Sequence, residues 1–278
     1  MKRYRCIFLV AILFALSTQE VEAAKHSPPI HYPLTSNGSL VSWDQARELL
    51  PRGATFTVID KDSGFHFRVQ RRAGSSHADV QPISHNDTAI LKHLYNGKWS
   101  WKRRAIVIPV NGRLIAASMH GMPHGQGSLS NGFPGHFCIH FHGSRTHRKE
   151  NLDPSHQFMI LKAAGRLDNY AANASAKQIT VMFLTGLKQN DKDIVNSTLS
   201  SNLKNSETIA VYLKDSEALH YKVTEKESRY PPFVKTNITA QVKMHRHNKD
   251  ILKTTLHFTL KRDDLTSGWK ITKLTDTD

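Results

Sequence analysis

The sequence predicts an α+β protein in two units: a β-rich first domain, then a second α+β domain with a curved antiparallel sheet. Three observations carry that prediction. Between residues 55 and 119, runs rich in β-branched and aromatic residues flank turn signals such as Asp62-Ser63-Gly64 and Asn111-Gly112. From Asp168 to Ala176 the chain is mostly Ala, Asn and Ser, the composition of a linker. Beyond Gln178, helical patterns come first and a meander of strand-like runs follows, the order of an α+β domain. The boundaries this sets are a signal peptide over 1–23, an extended lead-in over 24–40, a first domain over 41–166, a linker over 167–177 and a second domain over 178–278.

Each element has a local cause. Met-Lys-Arg-Tyr-Arg, an apolar run from Cys6 to Leu16 and a small-residue site at Val21-Glu22-Ala23 have the form of a secretory leader. That run is too short to span a bilayer, and no later stretch is long and apolar enough, so no transmembrane segment is expected. Pro28, Pro29 and Pro33 suit the extended lead-in. Ser42 caps a short helix through Leu50, which Pro51-Arg52-Gly53 ends. Two hairpins follow, 55–69 around Asp62-Ser63-Gly64 and 105–119 around Asn111-Gly112; between them Asn86-Asp87-Thr88 caps a helix over 89–94. Residues 120–136, rich in Gly, Pro, Ser and His, read as a loop, 137–141 as a short strand, and 154–164 as a helix stopped at Gly165. In the second domain helices are expected over 178–187 and 191–199. Strands are expected over 208–213, 219–225, 235–246, 251–262 and 269–274.

Removing the leader takes away Cys6, so Cys138 is the single cysteine of the mature chain and the fold needs no internal disulfide. The net charge of +15 falls only to +14, because the leader carries three bases and two acids. A field of that sign favours polyanions, and peptidoglycan or another anionic wall polymer is the expected partner of a secreted, wall-associated protein. Nucleic acid is not expected, since no cluster of arginine and aromatic residues stands out. Phosphate-cradling glycine loops and dinucleotide fingerprints are absent. Arg71-Arg72 and Lys102-Arg103-Arg104 read as solvated faces. Nothing in the composition specifies an oligomeric state.

The segment that can carry chemistry is Met119–His142, which holds five histidines and Cys138 in 24 residues. A cysteine attacks only as thiolate, and neighbouring imidazoles are the usual means of generating one. On a strand, His136 and His140 share the face of Cys138, and the loop before them can carry His124 across to the thiol. The candidate catalytic residues are Cys138, His124, His136, His120 and His140, within a region bounded by His147.

Two strings here resemble the active-site signature of L,D-transpeptidases of the YkuD type. Ile115–Met119 leading to His124-Gly125 resembles the strand that ends in His-Gly, and Gly135-His136-Phe137-Cys138-Ile139 resembles the cysteine strand. The resemblance covers roughly residues 54–147, and 76–147 is also similar to an exported domain of Gram-positive wall-associated proteins. It implies a peptidoglycan stem-peptide acyltransferase or peptidase of L,D-transpeptidase fold, with a cysteine acyl-enzyme and no cofactor. His124 would be the base, backbone N–H groups around His136–Cys138 the oxyanion donors, and His120, His136 or His140 the group orienting the base. Gly125, Trp101 and Arg145 are the expected substrate contacts. The chain departs from the pattern at Phe137, where the family has glycine, and at His140, where it has arginine. The second domain's element order, ending in Gly268-Trp269-Lys270-Ile271, resembles cone-shaped domains like nuclear transport factor 2 over about 100 residues.

Two alternatives stay open. Histidines with a carboxylate and an open water position make a catalytic zinc centre, for which His77, Asp79, His140 and His142 are the candidates. The other is a non-catalytic wall-binding module, in which Trp99 and Trp101 stack on sugar rings.

Overall fold

The computed structural model describes residues 36–146, 152–224, 233–247 and 250–277. The expected leader and most of the expected lead-in lie outside the described residues, as does His147. Among the described residues, no helix is long and apolar enough to cross a membrane.

Six antiparallel strands close into a barrel: β1 (Thr55–Asp60), β2 (His66–Ala73), β3 (Ala78–Pro82), β4 (Arg103–Val110), β5 (Arg113–His120) and β6 (Phe137–His140), ordered β1-β2-β3-β6-β5-β4. Asn111-Gly112 makes the β4–β5 turn, with both residues at positive φ. The barrel closes where Ile59 and Asp60 of β1 meet Val107 and Ile106 of β4. Strand alternation sends Phe67, Val80, Ile106, Met119, Phe137 and Ile139 into one closed apolar core. β3 was not anticipated, because its five residues Ala-Asp-Val-Gln-Pro include three poor strand formers. All five are buried, and pairing with β2 on one side and β6 on the other holds them extended.

An arginine plugs each end of the barrel. At the Thr55 end Arg71 donates to the carbonyls of Arg47, Leu50, Ala73 and Gly74, with its guanidinium 4.9 Å from the Trp43 ring. At the Asp60 end Arg104 makes a two-pronged pair with the fully buried Asp60, at 2.6 and 2.8 Å. The expectation that these basic runs are solvated therefore fails for Arg71 and for the whole 102–104 triplet. Lys102 donates to the Lys188 carbonyl and Asn190, and Arg103 pairs with Asp153 at 2.7 Å.

Helix α1 (Trp43–Leu49) starts at Ser42 through a full capping box with Gln45, and Trp43 Nε1 ties it down by donating to the Ser75 carbonyl. Helix α2 (His85–Leu94) starts earlier than expected. Ser84, not Asn86, is its cap, and Asp87 completes the box. Of the lead-in, Gly38 and Ser39 bond to Ala163, Leu114 and Ala116, and a Cβ on Gly38 would come within 2.5 Å of the Ala116 nitrogen.

Helix α3 (Pro154–Ala163), capped by Asp153, packs on the outside of β4 and β5. The supposed linker is instead helix α4 (Leu167–Asn173) followed by Ser175, whose capping box with Gln178 starts α5 (Ala176–Gln189). Its alanines pack closely, Ala171 and Ala174 being buried beside Leu167, while Asn169 and Asn173 are exposed. After α6 (Lys192–Thr198), residues 207–215 form α7 (Glu207–Asp215) and not the expected strand. The β-branched run misleads there, because Ile209 and Tyr212, three apart, are the buried pair while Val211 is exposed. Strands β7 (Ser216–Thr224), β8 (Lys235–Arg246), β9 (Ile251–Lys261) and β10 (Lys270–Thr277) then form an antiparallel sheet ordered β10-β9-β8-β7.

The two units share a core. Ala105, Val107 and Ala116 on the barrel's outer wall, Phe158, Ile160 and Ala163 of α3, the apolar face of α5 and the inner face of the second sheet form one buried cluster. Within it the Phe183 and Phe258 rings meet edge to face at 5.6 Å. At its margin Lys162 Nζ lies 2.8 Å from Asp62, 2.7 Å from Asp191 and 3.0 Å from Asp193, joining the β1–β2 turn, α3 and α6. Burial opposes that ammonium charge, but Asp191 and Asp62 outweigh it and hold Lys162 protonated above the usual lysine range.

Candidate functional site

The same alternation that fills the barrel points its other residues outward. On β6, Phe137 and Ile139 belong to the barrel core, while Cys138 and His140 face the opposite way. On β3 Ala78 and Val80 point in, leaving Asp79 outward with His77 just before the strand. On β5 Met119 and Ala117 point in and Ser118 and His120 out. This stretch of outer wall is covered by the start of α3 and by the 121–136 loop, so both faces of β6 are buried.

Cys138 lies at the centre. Its Sγ is 3.2 Å from His124 Nε2 and 3.7 Å from Asp79 Oδ1. His124 Nδ1 is 2.8 Å from the carbonyl oxygen of His136; since a carbonyl can only accept, that nitrogen carries the hydrogen and Nε2 presents a lone pair to the thiol. Asp79 Oδ1 also lies 3.1 Å from His77 Nε2 and 3.8 Å from His136 Nε2. His77 Nδ1 meets the Arg145 carbonyl at 2.8 Å.

The loop that delivers His124 is held at several points. His124 and His136 exchange two backbone hydrogen bonds, each 2.9 Å. Gln81 of β3 donates to the Gly135 carbonyl at 2.8 Å and accepts from the Ser128 N–H, and Asn131 donates to the Pro82 carbonyl. Gly125 is at φ +60°, and a Cβ there would come within 2.3 Å of the His136 ring. Its role is thus to let the imidazole pack against the backbone.

The histidines form two groups about the thiol. His77 stacks on His140 at 4.6 Å and His140 on His156 at 3.8 Å, with interplanar angles of 8° and 5°. His156, on α3, meets Ser118 Oγ at 2.9 Å. On the other side His120 lies 5.4 Å from the His124 ring, and the half-exposed Trp101 covers both at 4.7 and 5.6 Å. Burial pushes the Cys138 thiol well above the usual cysteine range, and Asp79 adds to this; Arg103 acts the other way. Burial likewise holds His120 and His156 neutral, with Arg103 and neighbouring imidazoles assisting. The resting site is therefore a neutral thiol among neutral bases at those positions.

All five expected catalytic residues, together with His77 and Asp79, fall within this cluster. Trp101 and Gly125 stand at its rim. Arg145 reaches it through its backbone carbonyl, its side chain being exposed. His142 does not join: β6 ends at His140, and His142 is exposed, paired through its backbone with Ser42. The His136 N–H is committed to the His124 carbonyl, which leaves it no free role as an oxyanion donor. Trp99 instead packs edge-on against Phe133 at 5.2 Å. His156 was missed, because a histidine in the first turn of a helix carries no signal of its own in sequence.

As a metal centre the cluster is uneven. His120, His124 and Cys138 offer three ligand atoms within 4.8 Å of one another, and so do His77, Cys138 and His140. Both nitrogens of His77 already have partners in Asp79 and Arg145, so the first group suits a soft ion better.

No family model matches the sequence, and no curated protein does. Among solved structures, a designed nuclear transport factor 2-like protein aligns with 37% of this chain and 96% of its own, at 10% identity and a TM-score of 0.29. A score that low leaves the α+β class of the C-terminal unit resting on its own strand order.

Proposed function

We propose that this protein is a cysteine acyltransferase or peptidase of the L,D-transpeptidase kind, remodelling peptidoglycan stem peptides outside the cytoplasm. The observation that carries the reading is Cys138 Sγ at 3.2 Å from His124 Nε2, with the far nitrogen of that imidazole fixed on a backbone carbonyl. In this reading His124 takes the thiol proton as Sγ attacks an amide carbonyl. The S–C bond forms, the C–N bond breaks, and the leaving amine takes the proton from His124. The thioester then passes its acyl group to an acceptor amine or to water. Because burial and Asp79 disfavour a free thiolate, proton transfer accompanies attack. Trp101 is the substrate's contact at the mouth, and the C-terminal unit belongs with nuclear transport factor 2-like domains.

Acylation by a carbapenem, followed by intact-protein mass spectrometry, tests this. A single adduct on the wild type and none on Cys138→Ala is the expected result. Wild type that stays unmodified overturns the reading. The second reading, a zinc site, is favoured by the three ligand atoms of His120, His124 and Cys138. Elemental mass spectrometry of untagged protein decides it: about one tightly held zinc per chain would make these residues ligands and end the nucleophile reading.

A further inference from the structure

The second sheet has one face in the shared core and one in solvent, and beyond an end row of Ala218, His245 and the exposed Ile251 the solvent face is polar and basic. Following the strand register across it, His220, Lys243 and Lys253 stand in one row and Lys222, Gln241, Thr255 and Thr277 in the next. Further along come Thr224, Thr239, His257 and Thr275, then Asn237, Thr259 and Lys273, then Lys235, Lys261 and Lys270, the last with its Nζ on the Ser197 carbonyl. No Asp, Glu or Arg stands in these rows. Lys222, Lys243, Lys253 and Lys273 are exposed, and no carboxylate among the described residues pairs with them. A shallow depression lies where Lys222, Lys243, Lys253, Gln241 and Thr277 converge.

The register is itself informative. Lys243 lies directly opposite Lys253, and Lys235 directly opposite Lys261. Like charges at opposed positions destabilise a strand pair, so stability alone does not account for them. A ligand that bridges the two ammonium groups removes that repulsion.

We propose that this face docks a linear polyol-phosphate polymer, a chain of phosphodiesters without bases. Lysines offer point charges that meet phosphate oxygens from any side, and interleaved Thr, Gln and Asn side chains add hydrogen bonds to them. The charges are spread along β8 from Lys235 to Lys243, roughly 27 Å at ~3.4 Å per residue, which a single small anion cannot cover. Nucleic acid fits less well. Tyr221 turns inward to Thr185, and no Phe, Trp or Tyr stands in the paired outward rows to stack on bases; the one exposed aromatic nearby among the described residues, Phe233, precedes β8. The proposal is independent of the cysteine chemistry.

The test is equilibrium binding of the full chain to a short synthetic poly(glycerol phosphate) at about 0.15 M ionic strength, where distant charges are screened. Lys243→Glu/Lys253→Glu should weaken binding at least tenfold. Arg52→Glu/Arg113→Glu, which makes the same charge change at exposed barrel positions, should weaken it less than twofold. Lys243→Gln/Lys253→Gln should fall between wild type and the glutamate pair, and it keeps the test valid if that pair fails to fold. Equal losses in the sheet and barrel variants would reduce the effect to net charge and overturn the proposal. So would binding to phosphatidylglycerol vesicles, or to a single-stranded oligonucleotide of equal charge, that matches or exceeds binding to the polymer.

Discussion

The two faces of β6 are equally buried and chemically opposite. Its inward side, Phe137 and Ile139, is fully buried among aliphatic and aromatic neighbours and serves the barrel core. Its outward side, Cys138 and His140, is as well buried but lies among imidazoles, a carboxylate and a hydroxyl. Burying polar groups gains little stability even when they are hydrogen-bonded, and costs about 1–3 kcal/mol for each one left unpaired. One face of the wall is therefore selected for packing. The other carries groups that packing does not explain, and that is the physical basis for placing the chemistry there.

Adjacent residues should thus fail in different ways. Cys138→Ala is expected to abolish the proposed acyl transfer, by at least ~10³-fold, while leaving the melting transition nearly in place. Phe137→Ala, one residue away, should cost roughly 3–5 kcal/mol of unfolding free energy through the cavity it opens. If Cys138→Ala proves as destabilising as Phe137→Ala, the division between the faces is wrong. Denaturant unfolding and single-turnover assays on both variants separate the cases.

Smaller effects sharpen the contrast. Asp79→Asn removes the anion beside Cys138 and should lower the thiol's pKa, so alkylation by iodoacetamide becomes several-fold faster at a fixed alkaline pH. An unchanged rate would show that the Asp79 carboxylate has no influence on the thiol. The smallest change is expected of Ser118→Ala/His156→Leu, which removes a hydrogen-bonded polar pair together and should alter stability at neutral pH by no more than about 1 kcal/mol.

That double variant also carries a pH signature. His156 and His120 have folded-state pKa values held well below the ordinary imidazole value of 6.5. The unfolded chain therefore binds protons first as pH falls, and stability drops below about pH 6.5 at up to ~1.4 kcal/mol per pH unit for each such histidine. Removing His156 should flatten that decline. A decline of unchanged slope, followed by calorimetry between pH 7 and 5, would show that His156 is not held neutral.

Much of this was legible in the sequence, for identifiable reasons. Asn111-Gly112 admits little besides a tight hairpin, and Phe-Cys-Ile-His alternates with the period of a strand, so His136 and His140 were expected beside the thiol. Asp79 and His77 stand out in sequence as ligand candidates beside His140 and His142, whereas the fold sets them around Cys138 without His142. β3, which carries Asp79, has no strand-like composition, and only its two neighbours hold it extended. His156 could not be found from residue spacing, since its approach to His140 depends on how α3 docks. Residues 208–213 show the opposite failure, in which strong β propensity lost to a buried pair at helical spacing.

Helix α3 has one further consequence, for the order in which the protein is made. It gives His156 to the cluster beside Cys138, and its apolar residues lie in the core shared with α5 and the second sheet. A chain synthesised from its N-terminus can close the six strands long before that core exists, because β6 ends at His140 and α5 begins at Ala176. Before α3 packs on β4 and β5, the outer wall beside the thiol has the 121–136 loop over it but not the part of its cover that His156 supplies. The other side of the helix is buried only once α5 and the second sheet are in place. The last part of that enclosure to form is thus the part packed against the C-terminal half.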